Sequence, residues 1–342
     1  MEKQSLTLNQ LIGIMLPAVE DELERSLSSV QTAELEGLYQ MFAYHLGWEG
    51  EAAGPEARGK RIRPLLLLLT TAAAGGIWEK ALPAAAAVEL IHNFSLIHDD
   101  IEDNSPKRRG RTTVWKKWGI AQAINAGDAM FTLAHLSILR LAETSPASSV
   151  LRAASILQRT CLHLTEGQYL DISYEARGDL TLEAYWSMVS GKTAALLSAC
   201  TELGALAAAA SDERQDSFRE FGHFLGLAFQ AKDDMLGIWG DSALTGKSAE
   251  SDLLSGKKSL PVLFGLTQRG AFAHRWEQGG ITDKEVASLA KQLKAEGAFD
   301  YVQQAVRRLT DQAIQALESA GPEGEAGQAL FTLADKLLSR QS

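Results

Sequence analysis

Asp99-Asp100-Ile101-Glu102-Asp103 packs four acids into five positions at the end of an apolar segment. On a helix advancing about 100° per residue, His92, Asp99 and Asp103 fall within about 40° of one another. Asp99 and Asp103 can therefore aim their carboxylates at one point. Such acids repel, and burying them unpaired is expensive. A hard divalent cation removes that penalty, and Mg²⁺ commonly takes one or two carboxylates together with phosphate oxygens. An acidic helix end is ordinarily just a solvated surface, so the cluster gains meaning only from its company.

That company is basic. Lys107-Arg108-Arg109-Gly110-Arg111 follows directly, and cations this near a carboxylate cluster suit a polyanion bridged by metal. A second run, Gly59-Lys60-Arg61-Ile62-Arg63-Pro64, opens an apolar helix, with Pro64 at an early helical position. Cations at a helix start oppose the macrodipole, and anion binding gives them a reason to be there. A further acidic pair, Asp233-Asp234, interrupts the apolar pattern Phe221–Met235, where core packing does not explain it. Downstream lie Gly240-Asp241, Thr245-Gly246-Lys247 and Gly256-Lys257-Lys258, glycines for close approach and lysines for phosphate. Gly191-Lys192-Thr193 heads another apolar helix, and Gly167-Gln168-Tyr169-Leu170-Asp171 says little in isolation.

The elements that must position these groups read as helical. Ala, Leu, Glu and Gln dominate the 342 residues and no segment alternates as a strand does. Breakers fall at Gly47–Gly59, Asn104–Gly110, Thr144–Ser148, Arg177–Asp179, Gly237–Gly256, Gln278–Gly280 and Gly321–Gly327. Thr7 with Gln10 and Thr282 with Glu285 have capping-box spacing. Ala84–Ile97 and Thr193–Ala210 are apolar on most faces, as helices inside a larger bundle are. The expectation is one all-α domain over residues 1–342, with central helices around a cavity.

Bulk charge narrows the partners. Lys and Arg total 33 against 43 Asp and Glu, a net −10, which argues against nucleic acid and anionic lipid. Two cysteines, Cys161 and Cys200, in apolar stretches fit a reducing compartment rather than a stapled scaffold. The N-terminal residues lack a signal-peptide layout, and Pro64–Trp78 is short for a bilayer span. A cytoplasmic protein without stable membrane insertion is expected.

Taken in order, the motifs resemble those of the trans-isoprenyl diphosphate synthase (polyprenyl synthetase) family over roughly residues 55 to 265. GKRIRP at 59–64, DDIED at 99–103, RRG at 108–110 and GQYLD at 167–171 are similar to its motifs, in its order. GKTA at 191–194, FQAKDD at 229–234, TGK at 245–247 and GKKSLP at 256–261 continue the series. The resemblance implies the isoprenoid synthase fold, a homodimer, and coupling of isopentenyl diphosphate to an allylic diphosphate with Mg²⁺, three ions once substrate is bound. Lys60, Arg63, His92 and Arg109 would hold the isopentenyl diphosphate. Arg108, Lys192, Thr193, Gln230, Lys247 and Lys257 would surround the allylic diphosphate. Asp99 and Asp103 would carry two Mg²⁺ and Asp233 a third, with Asp100, Asp171 and Asp234 as ligands or their supports. Asp99, Asp103, Lys192 and Asp233 are the groups expected to drive ionisation.

One position departs from the pattern: the second aspartate motif of the family ends in a third acid, and residue 237 here is Gly. Whether Asp241, beyond Gly240, compensates is left open by the sequence. Phe94 and Ser95 before the first motif resemble the pattern for geranylgeranyl diphosphate, with farnesyl diphosphate next. A class I terpene cyclase would share the bundle but has less need of Lys60, Arg63 and Arg109. His98-Asp99 also fits a helical metal phosphohydrolase, which would require further histidines. A non-catalytic partner subunit should have lost acids from the first motif, and they are all here.

Overall fold

A computed structural model describes residues 6–240 and 251–338. Helices α1 (Leu8–Leu27), α2 (Glu36–His45), α3 (Pro55–Arg58), α4 (Ile62–Ala73) and α5 (Leu82–Glu102) come first. They are followed by α6 (Val114–Trp118), α7 (Ile120–Leu139), α8 (Ala147–Glu175), α9 (Leu182–Val189), α10 (Ala195–Ala207) and α11 (Asp212–Trp239). Further helices span Ser251–Leu254, Leu260–Thr267, Ala271–Glu277, Asp283–Ala295, Ala298–Ala320 and Gly324–Leu338. The all-α expectation is met, and both capping boxes form, at Thr7 with Gln10 and at Thr282 with Glu285. Among the described residues no helix is long and apolar enough to cross a membrane.

Two compact units emerge from the packing. One takes in the described residues of Met1–Cys161, Ala199–Gln215 and Gly321–Leu330; the other those of Leu162–Ser198, Asp216–Ala320 and Phe331–Ser342. In the first, α5 lies chiefly against α7, with α4 and α1 as further neighbours. The alanine run of α5, Ala84 to Ala87, is wholly buried, as are Val88, Leu90 and Ile91, because its apolar residues cover most of its circumference. In the second unit Ile238, Leu253, Val262, Phe272, Leu293 and Ala298 form one buried cluster, flanked by Trp239, Phe264 and Ile281.

Local departures from the sequence reading have physical causes. Lys107–Arg108 and Arg111–Thr112 pair as a two-residue antiparallel ribbon, a strand element the periodicity did not show. Its turn uses Arg109 at φ 51° and Gly110 at φ 76°, the left-handed pair that matches hairpin twist. Gly237 does not break its helix, since α11 continues to Trp239. Gly324 and Gly327 likewise sit inside the last helix rather than in a loop.

Helix α10 approaches α4 at Gly204, where a Cβ would stand 2.5 Å from the Leu67 carbonyl oxygen. Backbone cannot swing aside as a side chain can, so Gly204→Ala should push the two helices apart. The expected loss is about 1–3 kcal/mol, read as a lower urea midpoint.

Candidate active site

The first unit collects one group of predicted residues. Asp99 and Asp100 close the last turn of α5, and Asp103 caps it with its N–H on the Asp99 carbonyl at 2.8 Å. Asp103 is exposed and Asp99 half-buried. Asp100 is only 1% exposed, and its Oδ1 accepts from Arg108 Nε at 2.9 Å. Burial raises the Asp100 carboxyl to about 6, against the pull of Arg108. Asp100 thereby fixes Arg108, while Asp99 and Asp103 offer the more open carboxylates.

The basic motif before α4 splits into internal and outward parts. Arg61 sits at the N-cap of α4 in the left-handed region, φ 45°. It is buried against Glu20 and Glu89 at 2.8 Å each and donates to the Leu46 carbonyl at 3.1 Å. Glu89 also accepts from Asn93 Nδ2 at 2.9 Å. Lys60 is exposed, and Arg63 reaches the His92 Nε2 at 3.2 Å. Burial and then Arg63, Arg109, Arg108 and Arg61 hold the His92 ring well below its usual pKa, so the neutral nitrogen accepts from Arg63. Gly59 leaves room for Arg109, whose guanidinium carbon lies 2.6 Å from where a Cβ would be. Arg109 also donates to the Ala57 carbonyl at 2.9 Å. Arg63, His92 and Arg109 are thus neighbours built from α4, α5 and the hairpin, and Lys60 stands exposed in the loop just before α4.

Arg111 of the second basic run is internal. It donates to the carbonyls of Tyr44, Glu49 and Glu51 at 2.6–2.9 Å and lies over the Tyr44 ring at 4.0 Å. Sequence reasoning missed Arg61, Glu89 and Arg111 as scaffold. The available signal was Glu89, a lone acid inside the apolar run of α5. His98 turns away from Asp99: its ring meets Phe94 at 5.0 Å, its Nε2 faces Asp128 at 3.7 Å, and it fills the space left by Gly127. No group of three His, Cys, Asp or Glu forms a ready metal cage among the described residues. Phe94 packs at the α5–α7 contact, 5.0 Å from Phe131, and Ser95 donates to the His92 carbonyl at 2.9 Å.

The second unit gathers the other group around a cavity of about 70 Å³ lined by Asp171, Lys192, Thr193, Gln230, Asp234 and Lys257, among others. Lys192 and Thr193 lie in a π-helical turn, Ser190–Ala194, between α9 and α10. Such turns are uncommon and often mark functional positions. Gly167 of α8 permits this placement, because a Cβ there would stand 2.1 Å from the Lys192 backbone nitrogen. Lys192 donates to Asp171, one helical turn further along α8.

Asp234, 1% exposed, is satisfied on both oxygens. Its Oδ2 accepts from Tyr185 Oη at 2.7 Å and Leu260 N at 2.9 Å. Its Oδ1 accepts from Gln230 Nε2 at 2.9 Å and faces Lys257 Nζ at 3.7 Å. Thr193 Oγ1 in turn donates to Gln230 Oε1 at 2.9 Å. Asp234 is thus engaged with Tyr185, Gln230, Lys257 and the Leu260 backbone, whereas the adjacent Asp233 is exposed. Asp234 foremost raises the Lys257 pKa, with Asp252, Asp233 and Asp171 adding to it. Lys258, next in sequence, points elsewhere, onto the carbonyls of Tyr174, Glu175 and Arg177 at the end of α8. A larger hollow of about 1100 Å³ beyond Lys258, bordered by Arg269, His274 and Trp276, holds none of the predicted residues. Lys247 and Asp241 lie outside the described residues.

Asp99 and Asp103 in the first unit, and Asp233 in the second, each present hard carboxylate oxygens at or near the surface, the donor type that Mg²⁺ takes.

Two outcomes follow from this geometry. Gly167→Ala should displace Lys192 from Asp171 and lower turnover at least tenfold, measured in steady state, by costing about 1.5–3 kcal/mol of charged hydrogen bonding. His45 has its pKa lowered to about 3 by burial and by Arg108, Arg109, Arg61 and Arg111. Because the unfolded ring binds protons first, its contribution to stability is present above about pH 6.5 and lost as pH falls toward 3. His45→Gln should flatten that acid limb in denaturant titrations.

The Polyprenyl synthetase family profile matches residues 53–293. A (2E,6E)-farnesyl diphosphate synthase from Mycobacterium tuberculosis is 40% identical over 310 residues, covering 88% of this chain and 85% of that one. A geranylgeranyl diphosphate synthase from the same organism is 38% identical over 328 residues, covering 93% and 90%. The crystal structure of a geranylgeranyl pyrophosphate synthetase from Pyrococcus horikoshii superposes with a TM-score of 0.87 at 30% identity, covering 97% and 99%. The motif order read from the sequence, the all-α fold and these matches agree that the chain belongs to the polyprenyl synthetase family.

Proposed function

We propose that this protein is a Mg²⁺-dependent trans-prenyltransferase that condenses isopentenyl diphosphate with an allylic diphosphate. The observation that carries the reading is the cavity where Lys192, Thr193, Gln230 and Lys257 surround supporting carboxylates, an arrangement made for a polyanion. Lys192, Thr193, Gln230, Lys257 and Lys247 hold the allylic diphosphate, with Arg108 oriented by Asp100. Lys60, Arg63, Arg109 and neutral His92 hold isopentenyl diphosphate. Asp99 and Asp103 are the Mg²⁺ ligands of the first motif and Asp233 that of the second. When bound, the metal stabilises charge developing on the departing pyrophosphate.

The protein's own groups do the rest. Fixed cations at Lys192 and Lys257 are already in place when the carbon–oxygen bond breaks, so little reorganisation is needed. The double bond of isopentenyl diphosphate attacks the allylic cation, and the released pyrophosphate takes the proton. Apolar helix faces keep water from quenching that cation. The cyclase reading is weaker because Lys60, Arg63, His92 and Arg109 form a second anion-binding group that cyclisation does not call for.

The named relatives make farnesyl and geranylgeranyl diphosphate respectively; we assign geranylgeranyl diphosphate as the first product and farnesyl diphosphate as the alternative. A cytoplasmic homodimer completes the reading, and exposed Ile120, Ile124, Leu136 and Leu139 on α7 are suited to a subunit contact.

Incubation with labelled isopentenyl diphosphate and each allylic starter should give a labelled prenyl diphosphate only with Mg²⁺ present. Asp99→Asn should cut turnover about 10²–10³-fold. Absence of label from the product would instead favour a cyclase.

A further inference from the structure

The second aspartate motif lacks its third acid, because residue 237 is Gly, yet the space beside that residue holds a carboxylate. Gly237 lies one turn after Asp233 on α11, within about 40° of it on the helix face. A Cβ at Gly237 would stand 2.4 Å from Asp252 Oδ2, 2.8 Å from its Cγ and 3.1 Å from Oδ1. An aspartate at 237 would have to start where the carboxylate of Asp252 already is.

The placement is built and not incidental. Leu253, fully buried, packs in the same cluster as Ile238, so the neighbours of both residues lock them side by side. The Asp252 carbonyl accepts from Lys257 N at 3.0 Å and from Ser255 Oγ at 3.2 Å, tying this segment to the loop that presents the Lys257 ammonium. Asp252 also acts electrostatically on Lys257 together with Asp234 and Asp233.

We propose that Asp252 supplies the carboxylate missing at position 237, reaching from the short helix Ser251–Leu254 to the cation–diphosphate held by Asp233. This rests on the assignment of Asp233 as a Mg²⁺ ligand. The missing side chain at Gly237 is then the condition for the substitute, since only glycine leaves the Asp252 carboxylate its place.

The test is calorimetric titration of Mn²⁺ into the protein with inorganic pyrophosphate, run beside thermal melts. Asp252→Asn should weaken cation binding about tenfold at an unchanged melting midpoint. Gly237→Asp alone should give no gain, because the new side chain meets Asp252. The swap Gly237→Asp with Asp252→Gly should recover most of the lost affinity, which identifies a carboxylate at this place, and not folding, as the cause. Wild-type affinity in Asp252→Asn, with Asp233→Asn impaired, overturns the inference and leaves the Asp233 assignment standing. Wild-type affinity in Asp233→Asn as well removes that assignment. A swap that stays as weak as Asp252→Asn also counts against the inference.

Discussion

A carboxylate removed from water must have every lone pair answered, and Asp234 shows what that demand organises. Its four contacts come from α9, α11, the Lys257 loop and the start of the helix Leu260–Thr267. Losing one donor from a buried charge costs about 1.5–3 kcal/mol, so these elements hold one another in register. Through Gln230 the same carboxylate orients Thr193, and by attraction it draws in Lys257. Thr193, Gln230 and Lys257, three of the predicted diphosphate ligands, are thus arranged around one satisfied buried acid.

The first unit solves a related problem with the signs reversed. Adjacent arginines cannot all face a ligand, and the chain buries some to aim the others. Arg61 is neutralised by Glu20 and Glu89, and Arg111 is spent on three carbonyls and the Tyr44 ring. Arg63, Arg108 and Arg109, which we propose face an anion, are held by lighter contacts. Each has its own orienting partner, His92, Asp100 or the Ala57 carbonyl. Glycines serve the same end by absence: Gly59 admits Arg109, and Gly167 admits the turn bearing Lys192.

Within the motifs, residue types were legible and residue duties were not. Asp99, Asp103 and Asp233 read as metal ligands through the family resemblance, and each keeps a carboxylate at or near the surface. Asp100 and Asp234, the neighbours of two of them, read the same way, yet both are buried and engaged with protein donors. Lys257 and Lys258 are likewise adjacent lysines with opposite assignments, one toward acids and one capping α8. Chain spacing gives direction along a helix but not depth, and depth decides whether a charge meets ligand or protein.

The sequence by itself determined the helical class, since strong helix formers and apolar stripes act locally. It also determined the order of the charged motifs, which side-chain chemistry alone makes readable. Tertiary structure alone decided which of two neighbouring charges is buried, and that the carboxylate beside Gly237 comes from Asp252. These depend on contacts between residues distant in the chain, where desolvation and steric exclusion act and no local pattern records them.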